Sequence, residues 1–157
     1  MAFEIERKFL LRNDNWRSEV IRTIEMRQGY LSRGIGRSIR VRLEDHQAFI
    51  NIKSSRNGIH RHEFEYEIPY SDAEEIFEEV ALRPFIEKRR HIIEHGDLHF
   101  EVDEFFGDNA GLIVAEIELP DIEHDFDHPE WLGKEVSSDQ RYYNTSLVES
   151  PYNQWKE

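Results

Sequence analysis

Charged and apolar residues alternate in segment after segment of this chain. In residues 60–69, for example, three glutamates alternate with three apolar side chains: Glu63, Phe64, Glu65, Tyr66, Glu67 and Ile68. Successive side chains of a β-strand point to opposite faces, so this period of two predicts strands with one apolar face and one charged face.

The alternation and its interruptions predict eight strands, at about residues 3–12, 24–32, 37–44, 47–53, 60–69, 85–95, 97–106 and 112–119. Apolar residues at helical spacing predict one amphipathic helix after Pro69, starting at a Ser71-Asp72-Ala73-Glu74 sequence that resembles a capping box. Short helices are expected at residues 16–22, near residues 129–132 and after Asp139, with turns at residues 34–36 and 57–58 and at Gly96. This order indicates an antiparallel α+β protein.

Composition limits the class of protein and its partners. The length of 157 residues fits a single domain spanning residues 1–157. A net charge of −13 disfavours nonspecific binding to nucleic acid or to an anionic membrane surface. The sequence has no apolar run of membrane-spanning length and opens with charged residues, so a cytoplasmic protein is expected. Because cysteine is absent, any metal would be bound by oxygen or imidazole ligands.

In a single strand, alternating charge indicates only a sheet face exposed to water. Across eight strands, however, Glu, Lys and Arg recur two residues apart on the polar face. A sheet closed into a barrel would accommodate them, with the apolar face outward beneath helices and other covering segments and the charged face around a central cavity. The predicted fold is therefore an eight-stranded antiparallel β-barrel tunnel with peripheral helices.

The charged rows carry groups suited to a polyphosphate. The basic candidates for phosphate binding are Lys8, Arg40, Arg42, Lys53, Lys88 and Arg90. Arginine suits the paired oxygens of a phosphate group, and lysine provides a mobile point charge. Two Glu-x-Glu pairs, Glu4 with Glu6 and Glu116 with Glu118, would repel phosphate unless a divalent cation such as Mg²⁺ or Mn²⁺ lay between. The set predicts metal-assisted chemistry on a polyphosphate.

At these residues the sequence resembles the CYTH domains, also called triphosphate tunnel metalloenzymes. Glu4-Ile5-Glu6-Arg7-Lys8 matches the Glu-x-Glu-x-Lys signature of that family. Further motifs follow in the order found in the family: Arg40-Val41-Arg42, Lys53, Glu63-Phe64-Glu65-Tyr66-Glu67, Lys88-Arg89-Arg90, Glu101-Val102-Asp103, Glu116-Ile117-Glu118, and the closing sequence from Glu135 to Asn144. The resemblance extends over nearly the whole chain.

The resemblance implies an eight-stranded tunnel that binds a triphosphate and divalent metal ions, often in a homodimer. It implies phosphate contacts from the six basic candidates, metal binding by Glu4, Glu6, Glu116, Glu118 and Asp103, and catalytic roles for Lys8, Glu4 and Glu6. For Asp103 and the row from Glu63 to Glu67, the alternative is that they pair with the basic side chains and orient them.

The leading hypothesis is metal-dependent hydrolysis of inorganic triphosphate to pyrophosphate and phosphate, because the chain is compact and has no obvious insert for binding a base. One alternative is a class IV adenylate cyclase, which would need an adenine pocket; its candidate walls are the aromatic residues Tyr30, Phe49, Phe105 and Phe106. Another alternative is a noncatalytic module that binds polyphosphate or nucleotide. Fold alone does not separate these activities.

Overall fold

The structure is a computed structural model that describes residues 3–32, 37–54 and 59–155. The turns predicted at residues 34–36 and 57–58 lie outside these ranges. The described residues form strands β1 (Phe3–Leu11), β2 (Arg22–Ser32), β3 (Arg37–Glu44), β4 (Gln47–Ser54), β5 (His60–Ile68), β6 (Leu82–His95), β7 (Leu98–Phe105), β8 (Ile113–Glu118) and β9 (Leu132–Glu135). The helices are α1 (Tyr70–Glu79) and α2 (Asn144–Glu149), and 3₁₀ turns lie at Asn15–Glu19, Gly107–Asn109, Gln140–Tyr142 and Tyr152–Gln154. No helix in these ranges is long and apolar enough to cross a membrane.

Eight strands close into a barrel. Neighbouring strands are antiparallel in the order β5-β4-β3-β2-β6-β7-β8-β1, and β1 pairs back with β5 at Phe3↔His62, Glu4↔Arg61 and Ile5↔His60. The predicted eight-stranded antiparallel barrel is thus confirmed. The ninth strand, β9, pairs with the later part of β1 through Phe9 and Leu11, beyond the residues that pair with β5. It lengthens the barrel wall on that side.

The prediction of a helix near residues 129–132 is wrong, because this part of the chain leads into β9. The backbone N–H of Arg12 donates to the carbonyl of Trp131 at 2.8 Å, and Trp131 and Leu132 are buried. Gly133 allows the close approach, since a Cβ at this position would lie 2.8 Å from the carbonyl oxygen of Leu10. Pairing with β1 and burial of the two apolar side chains override the local helical signal.

Two smaller predictions also need correction. Helix α1 begins at Tyr70 rather than at a capping box, because Pro69 is its N-cap and no side chain caps the first turn. Ser71 already lies inside that turn, and the N–H of Ala73 bonds to the carbonyl of Pro69. The helix predicted at residues 16–22 is only a 3₁₀ turn, because β2 begins at Arg22. The helical segments predicted after Asp139 and the turn at Gly96, where φ is +63°, are confirmed.

Two apolar clusters cover the outside of the barrel, as predicted. The first packs outward residues of β1, β6, β7 and β8 beneath Trp16 and Trp131; its barrel members include Phe9, Ile93, Phe100, Val102 and Ile117. The second lies beneath α1 and joins Ala73 and Phe77 of the helix to Val41, Leu43 and Ala48 of β3 and β4. Burial of these faces against covering segments leaves the opposite face of each strand to the barrel interior.

A third apolar cluster fills one end of the interior. Its barrel members are Leu10, Tyr30, Ile86, Phe105 and Val114. Four of them lie two residues from an inward charged residue, as Leu10 does from Lys8 and Ile86 from Lys88, so they share its face of the strand. They pack against Leu147 and Val148 of α2. The C-terminal segment therefore closes this end, an arrangement that the sequence did not predict.

Candidate active site

The rest of the interior is a charged cavity of about 320 Å³. Seven basic side chains line it: Lys8, Arg40, Arg42, Lys53, Arg61, Lys88 and Arg90. Eight acidic side chains line it as well: Glu4, Glu6, Glu44, Glu63, Glu65, Glu101, Glu116 and Glu118. The structure thus brings together every predicted site residue except Asp103, which is 1% exposed and lies behind the lining.

Strand register decides which charges meet. Lys8 lies directly opposite Glu116, Arg90 opposite Asp103, and Glu4 opposite Arg61. Glu6, in contrast, faces Glu118 across the β1–β8 pair. Like charges directly opposite each other destabilise a sheet, so this pair is a point of excess negative charge.

Of the two β1 glutamates, Glu4 and Glu6, Glu4 has the closer contacts with basic side chains. Its oxygens accept hydrogen bonds from Lys53 Nζ at 3.1 Å and Arg61 Nε at 2.9 Å. Burial alone would raise the pKa of Glu4, but the charges of Lys53 and Arg61 outweigh it and lower the pKa to about 2. Glu4 is therefore ionised at neutral pH.

The pKa values of Glu6 and Glu118 shift in the opposite direction, upward. Burial, followed by the negative charges of Glu116 and Glu4, raises the pKa of Glu6 to about 7. Burial and the repulsion from Glu4 and Glu63 likewise raise the pKa of Glu118 to about 7. Both carboxyl groups consequently hold a proton over part of the neutral range when no metal cation lies between them.

Glu116 is held by the lysine of the N-terminal signature. Lys8 Nζ donates to Glu116 Oε1 at 2.7 Å and lies 4.0 Å from Glu6 Oε1. Burial alone would raise the pKa of Glu116, but Lys8 and other nearby cations lower it well below its ordinary value. Lys8 thus links the two Glu-x-Glu pairs.

The two arginines of β3 differ in their partners. Arg42 has three acceptors in the protein, since its guanidinium donates to Glu44 at 2.5 Å, Asn51 at 3.1 Å and Glu65 at 3.2 Å. Arg40 is 9% exposed, and its buried Nε has no hydrogen-bond partner among the described residues. Its guanidinium makes no ion pair with them either. A buried cation without a partner is costly, so Arg40 favours the binding of an anion.

Lys88 and Arg90 share a single carboxylate. Asp103 accepts from Lys88 Nζ at 2.7 Å, and from Arg90 Nε at 2.8 Å and Nη2 at 2.9 Å. Burial lowers the pKa of the Lys88 ammonium to about 7, although Asp103 opposes the shift. Burial would raise the pKa of Asp103, but its two cationic partners lower it. Both oxygens of Asp103 are thus engaged by basic side chains.

The donor set suits a divalent metal ion. Carboxylate oxygens are the ligands that Mg²⁺ and Mn²⁺ prefer, and a cation beside Glu6 and Glu118 would relieve the repulsion that raises their pKa values. The nearly equal numbers of acidic and basic lining groups also leave little positive charge for a polyanion unless a metal accompanies it. Within the described ranges, no three histidine or acidic side chains are already arranged around a metal position.

Several lining residues were not singled out from the sequence. Arg61 has the same strand parity as Glu63, so the alternation could have identified it. Behind the lining, Asn51 is fully buried and donates to Glu65 at 2.7 Å, but it carries no charge to mark it. Residues 143–145 enter the cavity from the C-terminal segment, which no strand pattern marks. Within the predicted row of glutamates, Glu63 and Glu65 line the cavity, whereas Glu67 pairs with Gln47 outside it.

The four aromatic residues considered as adenine walls have packing contacts. Tyr30 lines the cavity but is 3% exposed and belongs with Phe105 to the apolar end cluster. Phe49 lies under the Arg42 guanidinium at 5.0 Å, and Phe106 under Arg89 at 5.2 Å. The structure therefore does not gather these four rings around one position.

Comparison with known proteins agrees with this architecture. The sequence matches the CYTH domain over residues 2–150. A protein of Acetivibrio thermocellus named inorganic triphosphatase is 43% identical over 157 residues, covering 100% of each chain. A protein of Nitrosomonas europaea with the same name is 33% identical, over 92% of this chain and 96% of its own. A crystal structure described as that of an inorganic triphosphatase superimposes with a TM-score of 0.66 at 30% identity, covering 94% of this chain and 95% of the other.

Proposed function

Because this chain belongs to the CYTH domain family, we propose that it is an inorganic triphosphatase, which hydrolyses tripolyphosphate to pyrophosphate and phosphate with the help of Mg²⁺ or Mn²⁺. The observation that carries the proposal is the buried guanidinium of Arg40. It lacks an ion pair with any described residue, whereas each of the other six basic side chains that line the cavity contacts a carboxylate. An anion with several negative charges would supply the missing partner.

The basic side chains bind the substrate. Arg40 contacts a phosphate directly, and the others exchange part of their carboxylate contacts for phosphate oxygens: Lys8, Arg42, Lys53, Lys88 and Arg90. Arginine offers two parallel donors to one phosphate, and lysine adapts its position as charge moves during the reaction. Because these groups are held in a cavity with little access to water, they stabilise the growing charge of the transition state more strongly than they would in solvent.

The acidic side chains bind metal and prepare the water. Glu4, Glu6, Glu116 and Glu118 would hold the divalent ion, which when bound neutralises phosphate charge and polarises the reacting phosphoryl group. A carboxylate of the Glu4–Glu6 pair orients a water molecule for in-line attack on a terminal phosphorus. The P–O bond to the adjacent phosphate breaks as the new bond forms, and pyrophosphate leaves. No covalent intermediate with the protein is required.

For Asp103, the contacts favour the orienting role over metal binding. Its oxygens lie 2.7–2.9 Å from donors of Lys88 and Arg90, and it does not line the cavity. We therefore place it as the residue that fixes both cations toward the phosphates. Glu65 has the same role for Arg42, as does Glu63 for Lys53, which it approaches to 3.3 Å.

Product analysis tests the proposed function. The purified protein would be incubated with tripolyphosphate, and separately with ATP, in Mg²⁺, in Mn²⁺ and in a chelator. We expect equal amounts of phosphate and pyrophosphate from tripolyphosphate, only when metal is present. Cyclic AMP from ATP without cleavage of tripolyphosphate would support the cyclase alternative. Tight binding of tripolyphosphate without any product would support a noncatalytic module.

The proposed assembly is a homodimer, as the family resemblance implies. Light scattering coupled to gel filtration would test it, because the dimer should have twice the 18.9 kDa mass of the chain. A monomeric mass at micromolar concentration would contradict the assembly without affecting the proposed chemistry.

A further inference from the structure

The C-terminal segment reaches the charged cavity through Asn144, a residue to which the reaction described above gives no role. Asn144 is the first residue of α2 and lines the cavity together with Tyr143 and Thr145. Its side-chain oxygen accepts two hydrogen bonds, from Lys88 Nζ at 3.1 Å and from Gln28 Nε2 at 2.9 Å. Asn144 therefore joins the end of the chain to one of the basic residues proposed to bind phosphate.

The orientation of the Asn144 amide follows from its partners. A lysine ammonium can only donate hydrogen bonds, so the Asn144 atom that faces Lys88 must be the oxygen and not the nitrogen. Gln28 is fully buried and holds the same oxygen from the barrel wall. The amide is consequently fixed by two independent donors.

Asn144 in turn restricts Lys88. Lys88 is 2% exposed, and its ammonium group has two acceptors, Asp103 at 2.7 Å and Asn144 at 3.1 Å. An ammonium group has three N–H donors, so one remains without an acceptor among the described residues. Because Lys88 lines the cavity, that donor is available to a ligand, and the two fixed contacts determine its direction.

The position of Asn144 is itself set by the apolar end of the barrel. Leu147 and Val148, on the same short helix, are 0% and 5% exposed and pack in the cluster that contains Ile86 and Phe105. Ile86 lies two residues before Lys88 on the same face of β6. The packed end of the barrel therefore holds Asn144 at a fixed height beside Lys88.

We propose that Asn144 is a positioning residue for triphosphate binding, which acts by directing the free N–H of Lys88 toward the substrate. This inference rests on the proposed function, since it requires that Lys88 contact a phosphate. It assigns to the C-terminal segment a role in substrate affinity in addition to closing the barrel.

The test compares Asn144→Ala with a matched control, Asn109→Ala. Asn109 is 4% exposed, and its side-chain oxygen accepts from the backbone N–H of Tyr152 at 2.9 Å. It thus anchors the same C-terminal segment without contacting Lys88 or lining the cavity. Both variants should lower the unfolding midpoint in urea, but only Asn144→Ala should raise KM for tripolyphosphate, by about tenfold, the effect expected for one hydrogen bond to a charged group. Equal KM values in the two variants would overturn the inference.

A double-mutant cycle checks the contact independently of catalysis. Asn144→Ala, Lys88→Met and the double variant would be unfolded in urea without substrate or metal. We expect non-additive losses, because removing either partner already breaks the contact. Additive losses would contradict the contact between Asn144 and Lys88.

If wild-type protein neither binds nor cleaves tripolyphosphate, the proposed function fails and the inference fails with it. If wild type is active and Asn144→Ala behaves like Asn109→Ala, only the inference fails.

Discussion

Glu6→Gln should make the metal-free protein more stable at pH 8 while impairing its response to metal. Glu6 is 7% exposed, lies opposite Glu118 and is close to the ionised carboxylate of Glu116. Its pKa of about 7 means that the folded protein holds a proton at pH values where the unfolded chain, with the ordinary glutamate pKa of 4.5, has already released it. The free energy of unfolding therefore falls as the pH rises from the pKa of Glu6 in the unfolded chain to its pKa in the folded protein, and the loss is complete above pH 7.

The magnitude follows from the difference between these two pKa values. Each pKa unit corresponds to about 1.4 kcal/mol, so ionisation of Glu6 costs at most roughly 3 kcal/mol of unfolding free energy above pH 7. Glutamine stays neutral at every pH and keeps an N–H that can donate to Glu116, so it imitates the protonated side chain. Allowing for movement of Lys8 and its neighbours, we expect a gain of about 2 kcal/mol at pH 8, which is about 4–8 °C in Tm for a domain of this size. At pH 5 the gain should nearly vanish.

Urea unfolding in a chelating buffer at pH 5 and pH 8 would measure this difference. Glu78→Gln, on the exposed face of α1, is the matched control and should follow wild type at both pH values. Addition of Mg²⁺ or Mn²⁺ at pH 8 should then stabilise wild type more than Glu6→Gln, because the variant lacks a carboxylate that we propose binds the metal. A variant that is less stable than wild type at pH 8, or one whose gain is the same at both pH values, would refute the electrostatic reasoning.

Three further substitutions test separate parts of the molecule. Arg40→Met should weaken tripolyphosphate binding at least about tenfold in calorimetry without lowering the free energy of unfolding. The control Arg89→Met, which breaks an outer ion pair with Glu25, should change neither property. Tight binding by Arg40→Met would show that Arg40 does not bind the substrate. Asp103→Asn should lower the unfolding free energy by about 3–5 kcal/mol in chelator, because it leaves two buried cations poorly balanced; wild-type stability would contradict the orienting role. Gly133→Ala should cost about 1–3 kcal/mol in urea unfolding, because its Cβ would lie 2.8 Å from a β1 carbonyl oxygen; an unchanged midpoint would show that β9 can shift.

The charged cavity could be predicted from the sequence because two simple rules combine. Period-two alternation places Lys8 with Glu4 and Glu6, and Arg40 with Arg42, on one face of each strand. The outward faces are apolar and need covering, so the charged faces must turn inward once the sheet closes. Closure itself was inferred from the repetition of charge along many strands, since no single strand contains that information.

Features that depend on contacts between distant segments could not be predicted in this way. The sequence at Trp131 and Leu132 resembles the start of a helix, but these residues lie beside β1 and bury their side chains there. The apolar end of the interior involves α2, whose position is set by packing far from its own sequence. Asn144 carries neither charge nor strand periodicity, and only the folded structure places it beside Lys88.

The sequence also does not predict which acidic side chain each basic side chain contacts. The sequence identified Arg40 and Arg42 as equivalent, yet register gives Arg42 three protein acceptors and leaves the Nε of Arg40 without one among the described residues. Cross-strand neighbours, which no local pattern specifies, determine which cation is left for a ligand.

Phosphorus NMR of tripolyphosphate incubated with the wild-type protein and Mg²⁺ or Mn²⁺ tests the central claim most directly. We predict that the substrate signals are replaced by phosphate and pyrophosphate in equal amounts, that a chelator stops the reaction, and that Arg40→Met abolishes it. Tripolyphosphate that remains intact in the presence of either metal, under conditions in which the protein is folded, would contradict the account.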